Sequence, residues 1–207
     1  MQLDNLNESQ AAKAIVDIAV AKLEAVLDDY MERNGSKDLT LPDVRRLFLK
    51  HARDEPRLRT LTTTFVSFLV EWDYRLTMID LSKAASREPF FTHLFKGCLL
   101  FESLIKASVK GEKYKEKTLG RLLKEPCILQ ALGIDAVCAS KGTFEEIIQV
   151  LKPTEPIREA IKCTLSTRNR LGHNLDLDVK SLNGEKYGQL ACNIAASCLH
   201  AISRLYR

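Results

Sequence analysis

The chain has 207 residues, of which 45% are apolar and 28% are charged, an ordinary globular composition that excludes a fibrous or a largely disordered protein. With only 9 glycines and 6 prolines, the sequence favours helices over a β-rich fold, whose many turns need more of both residues. The formal net charge of +4 is a mild excess that permits contact with nucleic acid without requiring it.

Apolar residues recur at helical spacing through most of the chain. The first helix is predicted from a capping-box-like start at residues 7–10 to a stop at Asn34-Gly35, and a second follows Pro42 and extends to His51. Further helices are predicted, in chain order, over residues 56–81, 90–109, 119–124, 128–132, 144–151, 156–168 and 187–205. The sequence therefore predicts an all-α fold, a helical bundle.

The clearest internal break is Ser86-Arg87-Glu88-Pro89. It divides an N-terminal helical module, residues 1–85, from a helical bundle, residues 86–207. The two segments either form separate modules or pack as parts of the same domain, and the sequence pattern is compatible with both.

No membrane span is expected, because the longest apolar run, residues 95–105, is interrupted by charged side chains. The polar, acidic residues 1–10 do not resemble a signal peptide. The six cysteines include no C-x-x-C pair and mostly lie in apolar helical stretches, which predicts reduced, buried thiols. These features together predict a cytoplasmic protein.

One segment combines residues suited to phosphate chemistry at the point where an apolar helix meets a polar loop. The guanidinium of Arg168 can bind phosphate oxygens in a bidentate manner and stabilise the charge of a transition state. The imidazole of His173 can exchange protons near neutral pH, and the amide of Asn169 can orient either the histidine or the phosphate. Two neighbours are candidates for substrate binding, Arg170 and Asn174.

The pattern Arg168-Asn169-x-x-x-His173 resembles the signature of the HEPN superfamily, in which Arg is followed by Asn, Asp or His and, after a short spacer, by His. The helical context extends the resemblance to residues 88–207, with the motif between the last two long helices. The resemblance implies a metal-independent endoribonuclease without a cofactor, which cleaves RNA to a 2′,3′-cyclic phosphate and a 5′-hydroxyl. It implies Arg168, Asn169 and His173 as the catalytic residues.

The same resemblance implies a homodimer with a composite active site and a place in antiviral defence or a toxin–antitoxin system. A neutralising or regulatory protein partner is expected in such systems. Two other interpretations stay open. In one, the protein is a non-catalytic HEPN-like module that binds RNA, a nucleotide or a protein through the same cleft. In the other, it is a helical scaffold in which residues 1–85 engage a partner and the motif is structural.

Several residues near the motif admit a structural interpretation as well. Gly172 or Asn169 can be the left-handed residue that ends a helix, and Arg168 can cap it. Glu102, in an otherwise apolar helix, either supports the site by pairing with a cation, for which Arg168 is a candidate, or faces solvent.

The looser pattern of Arg, four to six residues and His is not specific. It also occurs at Arg46 to His51 and at Arg87 to His93, where no Asn follows the arginine, so structural roles are predicted for both copies. The chain contains no phosphate-binding Gly-Lys-Ser/Thr loop, no G-x-G-x-x-G, no H-E-x-x-H and no paired cysteine ligands. An ATPase, a dehydrogenase and a zinc hydrolase are therefore disfavoured.

Overall fold

Helices account for nearly all regular structure in the computed structural model, which describes residues 8–35, 40–44, 46, 56–81, 87–109, 111–151, 156–172 and 182–206. No strand occurs among these residues, and the predicted all-α class is confirmed. In chain order the helices are α1 (Glu8–Asn34), α2 (Pro56–Leu81), α3 (Glu88–Ser108), α4 (Leu119–Leu122), α5 (Pro126–Leu132), α6 (Phe144–Gln149), α7 (Ile157–Leu171) and α8 (Gly184–Leu205). A 3₁₀ turn spans Glu112–Tyr114.

Glycine and proline set the helix ends that the sequence predicted. α1 ends at Asn34 because Gly35 adopts a left-handed conformation with φ of 63°. α2 begins at Pro56, whose fixed φ suits the first position of a helix. α3 starts two residues before the predicted position 90, because Pro89 is tolerated within a first turn. Residues 41–44 and residue 46 are helical, in agreement with the helix predicted after Pro42, whose predicted end lies outside the described residues.

Helices α3 and α8 pack against each other at the centre of the molecule, with α2 and α7 beside them. Gly97 of α3 makes this approach possible, because a Cβ atom there would lie 2.5 Å from the ring of Phe68 and 2.6 Å from Ile194. α8 presents the small side chains Ala191 and Ala195, both fully buried, so the helices meet closely.

The described helices on both sides of the break at residues 86–89 contribute to one hydrophobic core. Tyr30 of α1 donates or accepts hydrogen bonds with His200 and Ser203 of α8, at 3.1 and 2.9 Å. Phe68 of α2 stacks on the ring of His93 of α3, with ring centroids 4.3 Å apart. α2 thus covers both central helices, α3 and α8, which also support α7, and α1 packs on α2 and α8.

The cysteines differ in part from the sequence prediction. Cys98, Cys163 and Cys198 are buried as predicted, and Cys192 is half-buried. The prediction was wrong for Cys127 and Cys138, which are exposed. α5 is too short to bury more than its inner side, Ile128 and Leu132, so Cys127 faces outward, and Cys138 lies in the irregular segment between α5 and α6. Within the described chain, none of the helices has the length and apolar character needed to span a membrane.

Candidate functional site

The candidate site lies at the C-terminal end of α7. This helix begins after Pro156 and buries one face, including Ile161, Thr164 and Leu165, against α3 and α8. Its last turn carries Arg168 and Arg170, whose positive charges offset the negative end of the helix dipole. Arg168 is therefore presented at a helix end, on a segment that the core holds firmly.

The helix ends without a left-handed residue. Gly172 caps α7 with φ of −70° and ψ of −16°, and its N–H donates to the carbonyl of Arg168 at 2.9 Å. The prediction that Gly172 or Asn169 ends the helix in a left-handed conformation was therefore wrong, since Asn169 lies within α7. Helical φ and ψ are open to any residue, so backbone conformation does not explain the glycine at position 172.

Arg168 is held by Glu102 of α3. Its Nε donates to Oε2 of Glu102 at 3.0 Å, and the side chains of Arg168 and Glu102 are 19% and 7% exposed. Of the two sequence alternatives for Glu102, the pairing with Arg168 is the one present. A buried carboxylate needs such a partner, because its charge would otherwise be left without water or a cation.

A second cation binds the same carboxylate. Nζ of Lys106 lies 2.7 Å from Oε1 of Glu102, one helical turn further along α3. The cluster of Glu102, Lys106 and Arg168 therefore carries one negative and two positive charges, and its net charge is positive. Lys106 was missed from the sequence, although its i,i+4 spacing from Glu102 was a usable signal.

The pairing with Glu102 leaves most of the Arg168 guanidinium unused. Neither Nη atom of Arg168 has a hydrogen-bond partner within the described part of the chain. These are the two groups with which a guanidinium makes bidentate contacts to a phosphate. The arginine is fixed through Nε and keeps its fork of Nη donors available to an anion.

The other predicted residues of the segment are placed differently. Asn169 is half-exposed, and its side chain has no hydrogen bond to the described residues. Arg170 is turned away from Arg168, because two residues along a helix correspond to about 200° of rotation. Its Nη2 donates to the carbonyl of Lys141 at 2.7 Å. His173 and Asn174 lie outside the described residues, directly after Gly172.

A structural role is confirmed for the described copy of the looser Arg-to-His pattern. His93 is buried, its Nε2 donates to the carbonyl of Phe68 at 2.9 Å, and its Nδ1 accepts from the hydroxyl of Tyr187 at 2.7 Å. Nη1 of Arg87 donates to the carbonyl of Ile79. Both ring nitrogens of His93 are thus occupied in the core. The other copy ends at His51, outside the described residues.

Comparison with family models, with curated proteins and with solved structures finds no match for this chain. The site is therefore defined by its own residues. Among the described side chains, no group of three or more His, Cys, Asp or Glu is arranged to hold a metal ion. The feature best suited to a ligand is the paired but accessible guanidinium of Arg168, and the ligand class that matches it is a phosphate or another anion.

Proposed function

We propose that this protein is a metal-independent endoribonuclease of the HEPN type. The 2′-hydroxyl of an RNA nucleotide attacks the adjacent phosphorus and gives up its proton, and the bond from phosphorus to the 5′ oxygen breaks. The leaving oxygen takes up a proton, which yields a 2′,3′-cyclic phosphate and a 5′-hydroxyl. His173 exchanges these protons, and Arg168 binds the phosphate oxygens. Asn169 orients either the histidine or the phosphate.

The observation that carries the proposal is the state of Arg168. Glu102 fixes the guanidinium through Nε at 3.0 Å and leaves both Nη atoms without a partner among the described residues. Electrostatic catalysis needs donors that are oriented before the transition state forms, because reorientation during the reaction would cost free energy. A structural arginine that is fully buried is instead expected to use all its donors within the protein.

The sequence position of the motif supports the histidine role. His173 follows Arg168 by five residues, immediately after the last turn of α7 and before the segment that leads to α8. The proposal therefore places the motif between the last two long helices, as the resemblance to the HEPN superfamily implies. It also includes the homodimer, with a cleft made from two copies of the motif, and a role in defence or in a toxin–antitoxin system with a regulatory partner.

The first experiment incubates the purified protein with labelled RNA in EDTA. We expect cleavage that EDTA does not abolish, and products whose mass is lower by one water than that of a linear phosphate. His173→Ala and Arg168→Ala each reduce the rate by about 100-fold or more, as expected for loss of a proton-transfer group or of a charge-stabilising donor.

Two matched controls separate the site from general effects of charge and ring loss. Arg158→Ala removes a guanidinium from the same helix, but Arg158 is about 15 Å away along α7 and is bonded to Glu159. His51→Ala removes a histidine that lies five residues after Arg46, in a copy of the pattern where no Asn follows the arginine. Both controls keep the wild-type rate. Equal rates in wild type and His173→Ala, or no cleavage by either, would contradict the nuclease.

Glu102 is a positioning residue in this proposal. Glu102→Gln keeps an oxygen acceptor for Nε of Arg168 but removes the charge that attracts both Arg168 and Lys106. We expect kcat to fall about tenfold with a smaller change in KM, as for the loss of one charge-assisted hydrogen bond in an oriented site. RNA binding that survives His173→Ala, fails in Arg168→Ala and yields no product would favour the non-catalytic module.

A further inference from the structure

The side of α2 that faces away from the core is uncharged, although 28% of the chain is charged. Residues 61–79 are all described by the structure, and the exposed ones among them are Thr63, Val66, Tyr74, Thr77 and Met78. The charged residues of the same stretch, Glu71, Asp73 and Arg75, are only partly exposed. We call residues 63–78 on this side of the helix the outer face of α2.

The neighbouring helix α1 has the usual surface of a helix in water. Its exposed residues include Asp17, Glu24 and Asp28. By contrast, three of the six large apolar side chains exposed in the described chain belong to the outer face of α2. Depletion of charge together with exposed Tyr and Met is the composition that distinguishes the centre of a protein interface.

Ion pairs border the outer face on both sides. The ammonium of Lys22 in α1 binds Asp73 at one edge, and Nζ of Lys96 in α3 lies 2.6 Å from Oε1 of Glu71 at the other. Arg75 lies 3.8 Å from Oε2 of Glu71. Each of these groups has an opposite charge beside it, so the rim does not place an unpaired charge against a second surface of the same kind.

The residues of the outer face are arranged symmetrically about Val70. Val66 and Tyr74 lie four residues before and after Val70, and Thr63 and Thr77 lie seven residues before and after it. These spacings place the five residues on one stripe of the helix. In an antiparallel copy of α2, related by a two-fold axis at Val70, Val66 is opposite the partner's Tyr74 and Thr63 is opposite the partner's Thr77. The large ring thus meets a small side chain, and the two hydroxyl groups meet each other.

We infer that the outer face of α2 binds a second copy of this chain in antiparallel orientation, with Val70 at the two-fold axis. A self-complementary pattern is what such an interface needs, because the same patch forms both halves of the contact. The contact lies outside residues 88–207, the part of the chain that resembles the HEPN superfamily. It is therefore distinct from the composite cleft of the proposed function and does not depend on RNA cleavage.

The area of the contact sets the expected affinity. The outer face is about 23 Å long, and with the flanking rows of α1 and α3 at spacings of about 9 Å it covers roughly 600 Å² per copy. Ile18, one turn before Lys22, and Leu99, one turn after Lys96, are 43% and 39% exposed and add apolar contacts at these flanks. This area is near the lower limit for a specific interface, so we expect a reversible dimer with a dissociation constant of about 10 μM.

Sedimentation velocity at concentrations from about 1 to about 200 μM brackets this dissociation constant. We expect wild type to change from monomer to dimer over this range. Val66→Lys and Tyr74→Glu each place a charge in the apolar centre of the contact. Each should weaken the dimer by about 100-fold or more, because two-fold symmetry buries the unpaired charge twice.

The double variant Val66→Lys, Tyr74→Glu tests the orientation. In the antiparallel dimer the new ammonium of each copy is opposite the new carboxylate of the other, so at least about tenfold of the lost affinity should return. A parallel pair would bring like charges together and show no recovery. Within one chain the two positions are more than two helical turns apart, so the new charges do not pair in the monomer.

Val150→Lys is the matched control. Val150 is also an exposed valine, at 72%, but it follows α6 and is not part of α2. This variant should dimerise like wild type. Thermal melts of all variants identify any loss of folding, which is not expected because the substituted side chains of Val66 and Tyr74 are exposed.

The outcomes separate this inference from the proposed function. A wild type that stays monomeric at the highest concentration overturns the inference and leaves the outer face to a different protein. A dimer that persists in both single variants places the contact elsewhere and also overturns it, and a double variant without recovery overturns the antiparallel orientation. RNA cleavage by a monomeric chain leaves the nuclease without this dimer, whereas a dimer with the expected variant pattern and no cleavage supports the inference without the nuclease.

Discussion

Two arginines of this protein pair with a carboxylate in different ways. Arg33, near the end of α1, has a fully buried side chain and uses every nitrogen. Its Nε donates to Asp29 at 2.5 Å, its Nη1 to Oδ1 of Asn193 at 2.7 Å, and its Nη2 contacts the sulfur of Cys192 at 3.7 Å. Arg168 is bound only through Nε and remains 19% exposed.

The difference shows how burial separates a structural arginine from a candidate functional one. Burial lowers the pKa of Arg33, but the hydrogen bond and the charge of Asp29 outweigh it, so the pKa stays above its usual value. This closed arrangement fixes α1 on α8. Arg168 has the same pairing at Nε, but its Nη atoms are left for a ligand. The number of guanidinium donors already bonded within the protein therefore distinguishes a structural from a candidate functional arginine better than the presence of an ion pair does.

The largest expected effect is on stability, from Arg33→Met. It leaves the carboxylate of Asp29 and the amide of Asn193 without their partner, at a cost of about 4 kcal/mol in the free energy of unfolding. Arg168→Met costs about 1 kcal/mol, because Lys106 still neutralises Glu102. Urea denaturation followed by circular dichroism measures both values.

The RNA-cleavage activities of the same two variants are expected to change in the opposite order to their stabilities. Arg33→Met, assayed below its unfolding transition, retains RNA cleavage, whereas Arg168→Met loses it. Arg158→Met is the control for removal of an exposed arginine. If Arg168→Met destabilised the fold as much as Arg33→Met does, Arg168 would be a structural residue. The proposed difference in role between Arg33 and Arg168 would then be wrong.

A smaller effect per residue is expected from pH, through the two buried histidines. Burial lowers the pKa of His93 and of His200 to about 4, against 6.5 in an unfolded chain. Between these values the unfolded state binds more protons than the folded state, so stability is complete above pH 6.5 and falls as the pH falls towards 4. Each histidine costs about 2 kcal/mol at pH 5.

Denaturation midpoints at pH 7, 6 and 5 check this dependence. A variant that lacks one of the two histidines, such as His200→Gln, should lose about half of the change, since the two sites are separate and each has its own hydrogen bonds. A pH-independent midpoint over this interval would show that these rings are not held neutral. The measurement also separates acid unfolding from titration of the proposed site.

The smallest expected effect compares two threonines on the buried face of α7. The hydroxyl of Thr164 bonds to Ser197 and to the carbonyl of Ala160, both at 2.9 Å. The hydroxyl of Thr167 is buried without a partner among the described residues. Thr164→Val should therefore cost about 1 kcal/mol, whereas Thr167→Val should leave stability unchanged or raise it by up to about 1 kcal/mol.

The two valine variants are matched in shape, helix and burial, so thermal melts compare them directly. A loss in Thr167→Val equal to that in Thr164→Val would reveal a partner for the Thr167 hydroxyl. Because Thr167 directly precedes Arg168, the same variant tests whether the end of α7 tolerates an apolar residue beside the site without loss of RNA cleavage.

The sequence was most informative where local chemistry decides the structure. The ends of α1 and α2 followed from Gly35 and Pro56, because left-handed torsion angles and the fixed φ of proline act within a few residues. The pairing of Glu102 with Arg168 could not be decided from the sequence, because Arg168 is 66 residues away and comes into contact only through packing of α3 and α7.

The amino-acid sequence by itself determined the all-α class, most helix positions and the segment that carries the candidate chemistry, since spacing, glycine, proline and residue type are local properties. Only the tertiary structure decided which guanidinium groups have all their donors bonded within the protein and which keep donors for a ligand. Arg33 and Arg168 each lie near the C-terminal end of a helix. One is enclosed by α8 and the other is left at the surface, because burial depends on residues distant in the chain.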